Sequence, residues 1–230
     1  MAEQLMEKKF WIKPFLVLTV VSALYIQAFS QDPLRFTTEI EEFKSQTIPS
    51  GENPIVVFTG SSSIRGWTQI DEHFPELRIL NRGFGGSQMS DLYYFLDECV
   101  LKNRPSQVFI YEGDNDLNAG KTPEEILEWA EKIISKIHES LPATRIAFIS
   151  AKPSPARWGL KNEYMELNLM FKRLSDRNPK VDFVDIWTKM IGTEGKAMDG
   201  LFLEDKLHMN EEGYRLWAET IRPFLIDYAN

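Results

Sequence analysis

Cysteine is the scarcest residue. Cys99 stands alone in 230 residues, so no internal disulfide can staple the fold. It lies in an apolar stretch of helical spacing and reads as a small core residue rather than a nucleophile. Histidine is nearly as rare: His73, His138 and His208 are far apart and offer no ligand spacing for zinc. Positive charge is in deficit, with 26 Lys and Arg against 34 Asp and Glu, a net charge of −8 and no basic stripe. That balance argues against nucleic acid as a partner. No repeat recurs at a fixed period. What remains is ordinary: 43% hydrophobic and 26% charged residues, in a length that suits one α/β domain.

The N-terminal end departs from that picture. Lys8, Lys9 and Lys13 precede an apolar run over 15–29, broken by Thr19, Ser22 and Gln27. The run is shorter than the roughly 20 residues a membrane-spanning helix needs. It ends at Ala28-Phe29-Ser30, small residues spaced like a signal-peptidase site, with Gln31 next. Residues 1–30 therefore read as a cleaved export signal, with an uncleaved anchor as the alternative and a buried core helix as the plainest one. Either of the first two puts the domain expected over 31–230 outside the cytoplasm.

Five short apolar runs, 55–59, 78–81, 107–111, 145–150 and 181–186, read as buried parallel strands. Helical patterns lie between and after them, at 92–102, 126–141, 163–177 and 211–228. The second of these has a clear start in Thr122-Pro123-Glu124-Glu125: an N-cap, a proline at the first helical position and early acids. Alternating strands and helices predict a doubly wound α/β fold, a five-stranded parallel sheet with helices on both faces. Ligands in such folds bind beyond the carboxyl ends of the strands. There the first three strands lead into Gly60-Ser61-Ser62-Ser63, Gly83-Phe84-Gly85-Gly86 and Gly113-Asp114-Asn115-Asp116.

A serine becomes a nucleophile when a base takes its proton, and the base needs a partner that fixes its tautomer. His138 sits near a helix C-terminus, where histidine complements the dipole. His73 lies beside Asp71 and Glu72 and reads as solvated. His208 follows Asp205 by three residues, just before the start of the last helix. A turn of that length brings the carboxylate to one ring nitrogen and leaves the other for the Ser62 loop; the plain alternative is a surface pair sharing a loop. Oxyanion donors are available in the Ser62 N–H, the Gly86 N–H and the Asn115 carboxamide. The plain readings are a tight turn needing positive φ at the glycines and an Asx-type loop residue at Asn115.

These four segments resemble, in order, the blocks of the SGNH hydrolase superfamily, the GDSL-type lipases and esterases. The carriers are Ser62 in Phe58-Thr59-Gly60-Ser61-Ser62-Ser63-Ile64, Gly86 in Asn81-Arg82-Gly83-Phe84-Gly85-Gly86, Asn115 in Gly113-Asp114-Asn115-Asp116, and His208 with Asp205. The resemblance spans residues 55 to 215. It implies a flavodoxin-like three-layer αβα sandwich, an acylhydrolase activity, a Ser62–His208–Asp205 triad and an oxyanion hole from Ser62, Gly86 and Asn115. One departure stands out: the family's Gly-Asp-Ser is here Gly60-Ser61-Ser62, and a shift of one residue would make Ser63 the nucleophile. The glycine-x-serine-x-glycine signature of α/β-hydrolases is absent around these serines.

The expected activity is hydrolysis of small O-acyl esters, acetyl foremost and on carbohydrates, with a lysophospholipase or short-chain lipid esterase as alternative. No cofactor or metal is required; Asp91, Asp114 and Asp116 could be read as a magnesium cluster, a minor option. Trp67, Phe84, Met89 and Trp158 are candidates for a pocket lining or for core. Rival classes are weaker. A flavodoxin-type carrier or binding module would use the serine-rich loop for a flavin phosphate but leaves Asp205 and His208 without a role. A metallophosphoesterase needs more histidines. A binding module with a dead site would share every feature except turnover. The partner expected is a small-molecule or glycan ester; oligomeric state leaves no trace in the sequence.

Overall fold

In the computed structural model, which describes residues 32–46 and 48–226, the five apolar runs form one parallel sheet. The export signal expected over residues 1–30 lies outside the described residues. The chain divides into two compact units, Met1–Arg35 and Phe36–Asn230; only residues 32–35 of the first are described, and the second holds the sheet. Its strands are β1 (Ile55–Gly60), β2 (Arg78–Gly83), β3 (Gln107–Tyr111), β4 (Arg145–Ile149) and β5 (Val181–Val184). Their spatial order is β2-β1-β3-β4-β5. The chain moves outward from β1 to β2, then crosses back to β3 on the other side, which makes the end of β1 a topological switch point.

Register decides what meets there. Gly60 at the end of β1 is level with Gly83 of β2 and with Tyr111 of β3. The three loops that follow therefore leave the sheet side by side. Gly60 itself has φ +134°, and a Cβ there would lie 2.0 Å from the Tyr111 carbonyl oxygen. Only glycine lets β1 turn this close to β3.

Eight helices are used below: α1 (Thr37–Ser45), α2 (Ser62–Arg65), α3 (Met89–Tyr94), α4 (Asp114–Asn118), α5 (Pro123–Ser140), α6 (Lys161–Arg177), α7 (Ile186–Met190) and α8 (Glu211–Ile221). Alternate strand residues face opposite sides. Val57, Val108, Ile110, Ile146 and Phe148 join Ile40, Leu92, Ile126, Ile133, Leu167 and Phe171 in one core, under α1, α3, α5 and α6. Val56, Phe58, Phe109, Ala147 and Ile149 join Ile64, Trp67, Met190, Tyr214 and Trp217 in the other, under α2, α7 and α8. The result is the expected three-layer sandwich.

Two helical patterns are shorter than the sequence predicts. The stretch 92–102 is divided: α3 ends at Tyr94, a second turn runs Leu96–Cys99, and Phe95 between them packs edge-on against Phe84. The last helix ends at Ile221 because Pro223 cannot continue the hydrogen-bond ladder. At α5 the predicted start is present in full, with the Thr122 hydroxyl accepting from the Glu125 N–H and the Glu125 carboxylate accepting from the Thr122 N–H.

Candidate active site

Ser61, directly after β1, is extended (φ −82°, ψ −160°), and its carbonyl accepts the N–H groups of Ile64 and Arg65. That turn makes Ser62 the first residue of α2. Its N–H belongs to the opening turn of a helix, where no intrahelical acceptor exists. Its Oγ lies 3.0 Å from His208 Nε2. Ser61 and Ser63, the flanking hydroxyls, are buried.

His208 reaches Ser62 from the other end of the chain, on a turn with its own bracing. Leu203 N–H donates to the His208 carbonyl, Lys206 N–H donates to the Leu203 carbonyl, and Phe202 pairs with Met209 in an antiparallel bridge. Lys206 takes a left-handed φ of +58° to close the turn. His208 Nδ1 lies 2.6 Å from Asp205 Oδ2, and Asp205 Oδ1 accepts the Leu207 and His208 N–H groups, both at 2.9 Å. The imidazole hydrogen bond, then these two N–H groups, hold the Asp205 carboxyl down to about 2. With Nδ1–H donating to that carboxylate, Nε2 is free to accept the Ser62 hydroxyl proton. The pair is open to solvent, the His208 and Asp205 side chains being 39% and 47% exposed.

The other two candidate donors, Gly86 and Asn115, sit on the loops after the neighbouring strands. Gly86, at φ +82°, turns the chain after β2 with nothing within 4 Å of where a Cβ would be. Asn115 is half-buried in α4 and its orientation is fixed from both sides. Its Nδ2 donates to the Ser87 carbonyl at 2.9 Å, and its Oδ1 accepts both terminal nitrogens of Arg157 at 3.1 Å. A guanidinium can only donate, so Oδ1 must face it, and the second Nδ2 hydrogen remains for another acceptor.

Beneath Asn115 lies a buried ion cluster that the sequence reading missed. Asp114 takes Lys152 and Tyr111 on one carboxylate oxygen, at 3.3 and 3.0 Å, and Arg157 and Tyr164 on the other. Burial alone would raise its pKa, but Lys152, Arg157 and the Tyr164 hydroxyl hold it at about 2. Burial dominates at Lys152, pulling its ammonium pKa down in spite of Asp114. With a second cation in Arg157, Asp114 is the member whose charge is secured. Lys152 and Arg157 belong to the loop after β4, the same sheet edge as the other site loops. That topological rule was the signal that could have found them.

Other residues fall elsewhere. Trp67 and Phe84, candidates for pocket lining or for core, are fully buried, one in each core, which sets the pocket-lining reading aside. Trp67 instead donates its indole N–H to His73 Nδ1 at 2.8 Å, so His73 is not simply solvated. Met89 is core as well. Trp158 stays at the surface, stacked on Trp187 at 6.1 Å between ring centres. Cys99 is buried and its thiol pKa is pushed up by burial. Asp116 pairs with Lys121 and accepts the Met89 N–H, and Asp91 closes the capping box of α3 with Gln88. Their carboxylates thus serve the protein's own N–H groups and cations.

Comparison with known proteins points one way. The family model of the GDSL-like lipase/acylhydrolase family matches residues 49–216. No curated protein matches the chain. Among solved structures, a Streptococcus pneumonia protein provisionally described as a platelet activating factor is 22% identical, with TM-score 0.75, covering 89% of this chain and 99% of its own. A GDSL-like lipase from Bacteroides thetaiotaomicron is 20% identical, with TM-score 0.67 and coverages of 84% and 96%. A mutant of an acetyl-xylooligosaccharide esterase from Geobacillus Stearmophilus is 16% identical, with TM-score 0.61 and coverages of 80% and 99%. At these identities the structural likeness speaks for the fold.

Proposed function

The chain belongs to the GDSL-like lipase/acylhydrolase family, whose members are ester hydrolases, and on that premise we propose that it is a serine esterase removing small O-acyl groups, acetyl foremost. The single observation that carries this reading is the hydrogen-bonded chain Asp205–His208–Ser62. In the proposed mechanism His208 Nε2 takes the Ser62 proton as Oγ attacks the ester carbonyl carbon. The carbonyl electron pair moves onto oxygen, where the Ser62 N–H, the Gly86 N–H and the Asn115 carboxamide donate to it. The intermediate collapses, and the leaving alcohol takes the proton back from Nε2. Water, deprotonated by the same nitrogen, then attacks the acyl carbon; the bond to Oγ breaks, Nε2 returns the proton to Ser62, and the acid leaves. Asp205 stays ionised throughout and orients the imidazole.

The alcohol side of the substrate is proposed to be a carbohydrate. Trp158 lines a cavity of about 560 Å³ with Pro155, Lys196, Met198 and Asp199. Its walls adjoin the site: Pro155 and Trp158 flank Arg157, which holds Asn115, and Asp199 pairs with Lys206, next to Asp205. An aromatic face with polar side chains around it suits a sugar ring. Half-exposed Leu203, five residues before His208, favours a second reading, a short-chain lipid ester. Export is part of the proposal and rests on residues 1–30; among the described residues no helix is long and apolar enough to cross a membrane.

Ser62→Ala is expected to abolish hydrolysis of a chromogenic acetyl ester while circular dichroism stays native. A fluorophosphonate probe is expected to label the wild-type chain at the peptide containing Ser62. Unchanged turnover in the variant would sink the assignment. Rates on acetylated oligosaccharides against acyl lipids of rising length separate the two substrate readings.

A further inference from the structure

One buried carboxyl has no part in that mechanism, and it lies directly beneath the oxyanion donors. Glu112 follows β3 by one residue and is 1% exposed. Its Oε1 is 2.5 Å from Ser87 Oγ, while its Oε2 is buried with no hydrogen-bond partner among the described residues. Ser87 is the joint between the two donor loops. It follows Gly86 directly, its carbonyl accepts from Asn115 Nδ2 at 2.9 Å, and its hydroxyl lies 2.9 Å from the Phe84 carbonyl.

The hydrogens can be counted. A serine hydroxyl carries one hydrogen, and a backbone carbonyl only accepts. If the Ser87 hydrogen goes to Phe84, the hydrogen in the 2.5 Å contact comes from Glu112. A neutral Glu112 with its hydrogen on Oε2 would leave that hydrogen without an acceptor among the described residues. The remaining arrangement sends the Ser87 hydrogen to an ionised Glu112, a buried carboxylate with a single hydrogen bond and with Asp91, Asp114 and Asp116 as neighbours. Burying such a charge without a cation is far more costly than leaving one carbonyl-type oxygen unpaired. The cations beside these carboxylates are committed to them, Lys121 to Asp116 and Lys152 and Arg157 to Asp114.

We propose that Glu112 is a neutral carboxylic acid and a positioning residue: its O–H donates to Ser87 Oγ and so fixes the turn that aims the Gly86 N–H and the Asn115 carboxamide. The reading is consistent with the direction of its acidity. Burial first, and then the charge on Asp116, raise the Glu112 carboxyl well above its ordinary range. The proposal rests on the oxyanion role given above to Gly86 and Asn115, but the state of Glu112 can be tested without it.

Two measurements decide it. In the first, the infrared difference spectrum of full-length wild type against Glu112→Gln at neutral pH is expected to show loss of a protonated-carboxyl C=O band. Loss of a carboxylate band instead overturns the proposal, whether or not the protein is an esterase. In the second, kcat and KM are measured on a chromogenic acetyl ester. Glu112→Leu removes the donor and is expected to lower kcat roughly 10- to 100-fold, less than the outright loss of an oxyanion donor, with KM nearly unchanged. Glu112→Gln restores a donor, its side-chain N–H, and is expected to recover most of that loss. Equal impairment in both variants, or a Glu112→Leu loss that only follows the folded fraction, overturns the positioning role. If Glu112→Leu does not fold, the infrared result and the Glu112→Gln kinetics still decide, since a marked kcat loss in Glu112→Gln contradicts the proposal. If Ser62→Ala retains turnover, the esterase reading fails by itself and the infrared result stands apart from it.

Discussion

At the scale of the residue, Asp114 shows how much of this site is held by groups that do not touch substrate. It is nearly buried, yet it carries two cations and two tyrosine hydroxyls. Removing one partner from such a buried set leaves the others uncompensated, a loss of roughly 3–5 kcal/mol. Asp114→Ala is therefore expected to lower the unfolding free energy, measured by denaturant titration, by that order. The pH dependence has a definite sign. The folded-state carboxyl is depressed from 3.8 to about 2, so its stabilisation is complete above the unfolded value and is lost as pH falls through that window. Asp114→Asn is expected to flatten the acid limb of stability; an unchanged limb in acid titrations would show that Asp114 is not the group responsible. The grouping of Ser62, Asp205 and His208 could be read from the sequence because a serine after a strand and an aspartate three residues before a histidine are recognisable residue types. For Lys152 and Arg157 the sequence marked only the loop after β4, and for Glu112 only the end of β3, because each acts through a neighbour that the folded chain supplies. For Trp67 and Phe84 the sequence left lining and core open, because an aromatic beside a site loop points inward as readily as outward; the fold buries both.

At the scale of the element, the decisive piece is the end of β1. Its apolar run and its following glycine were plain in the sequence, but the register with β2 and β3 was not, since pairing is set between strands distant in the chain. Gly60 bears the cost of that register. Gly60→Ala would combine a left-handed φ with a Cβ 2.0 Å from the Tyr111 carbonyl oxygen, and a strand backbone, unlike a side-chain tip, cannot swing aside. It is expected to yield little soluble folded protein, as judged by expression and circular dichroism. An alanine variant of normal stability would mean that β1 and β3 are farther apart than described. Helix starts were easier to place than helix ends. Thr122 and Glu125 announce α5 by local chemistry, whereas the break at Phe95 answers to Phe84 across the core.

At the scale of the whole molecule, the site is a convergence of four strand-end loops with a late turn. The sheet supplies Ser62, Gly86, Asn115 and Arg157 from one edge, and the turn brings His208 across 146 positions of sequence to meet them. The alternation of strand and helix was enough to anticipate the layers and the edge where the loops gather. It was silent on the face the late turn would take, because that turn is placed by α8 and by the bridge from Phe202 to Met209. The openness of the histidine–aspartate pair, with side chains 39% and 47% exposed, has a kinetic corollary. Under the proposed chemistry, a serine-bound acyl group would be no captive: whichever small nucleophile the medium carries could reach it. Hydroxylamine added to the assay is expected to divert acetyl into hydroxamate in proportion to its concentration, at the expense of free acetate. A product ratio indifferent to the added amine would mean that the bound acyl group is shielded after all.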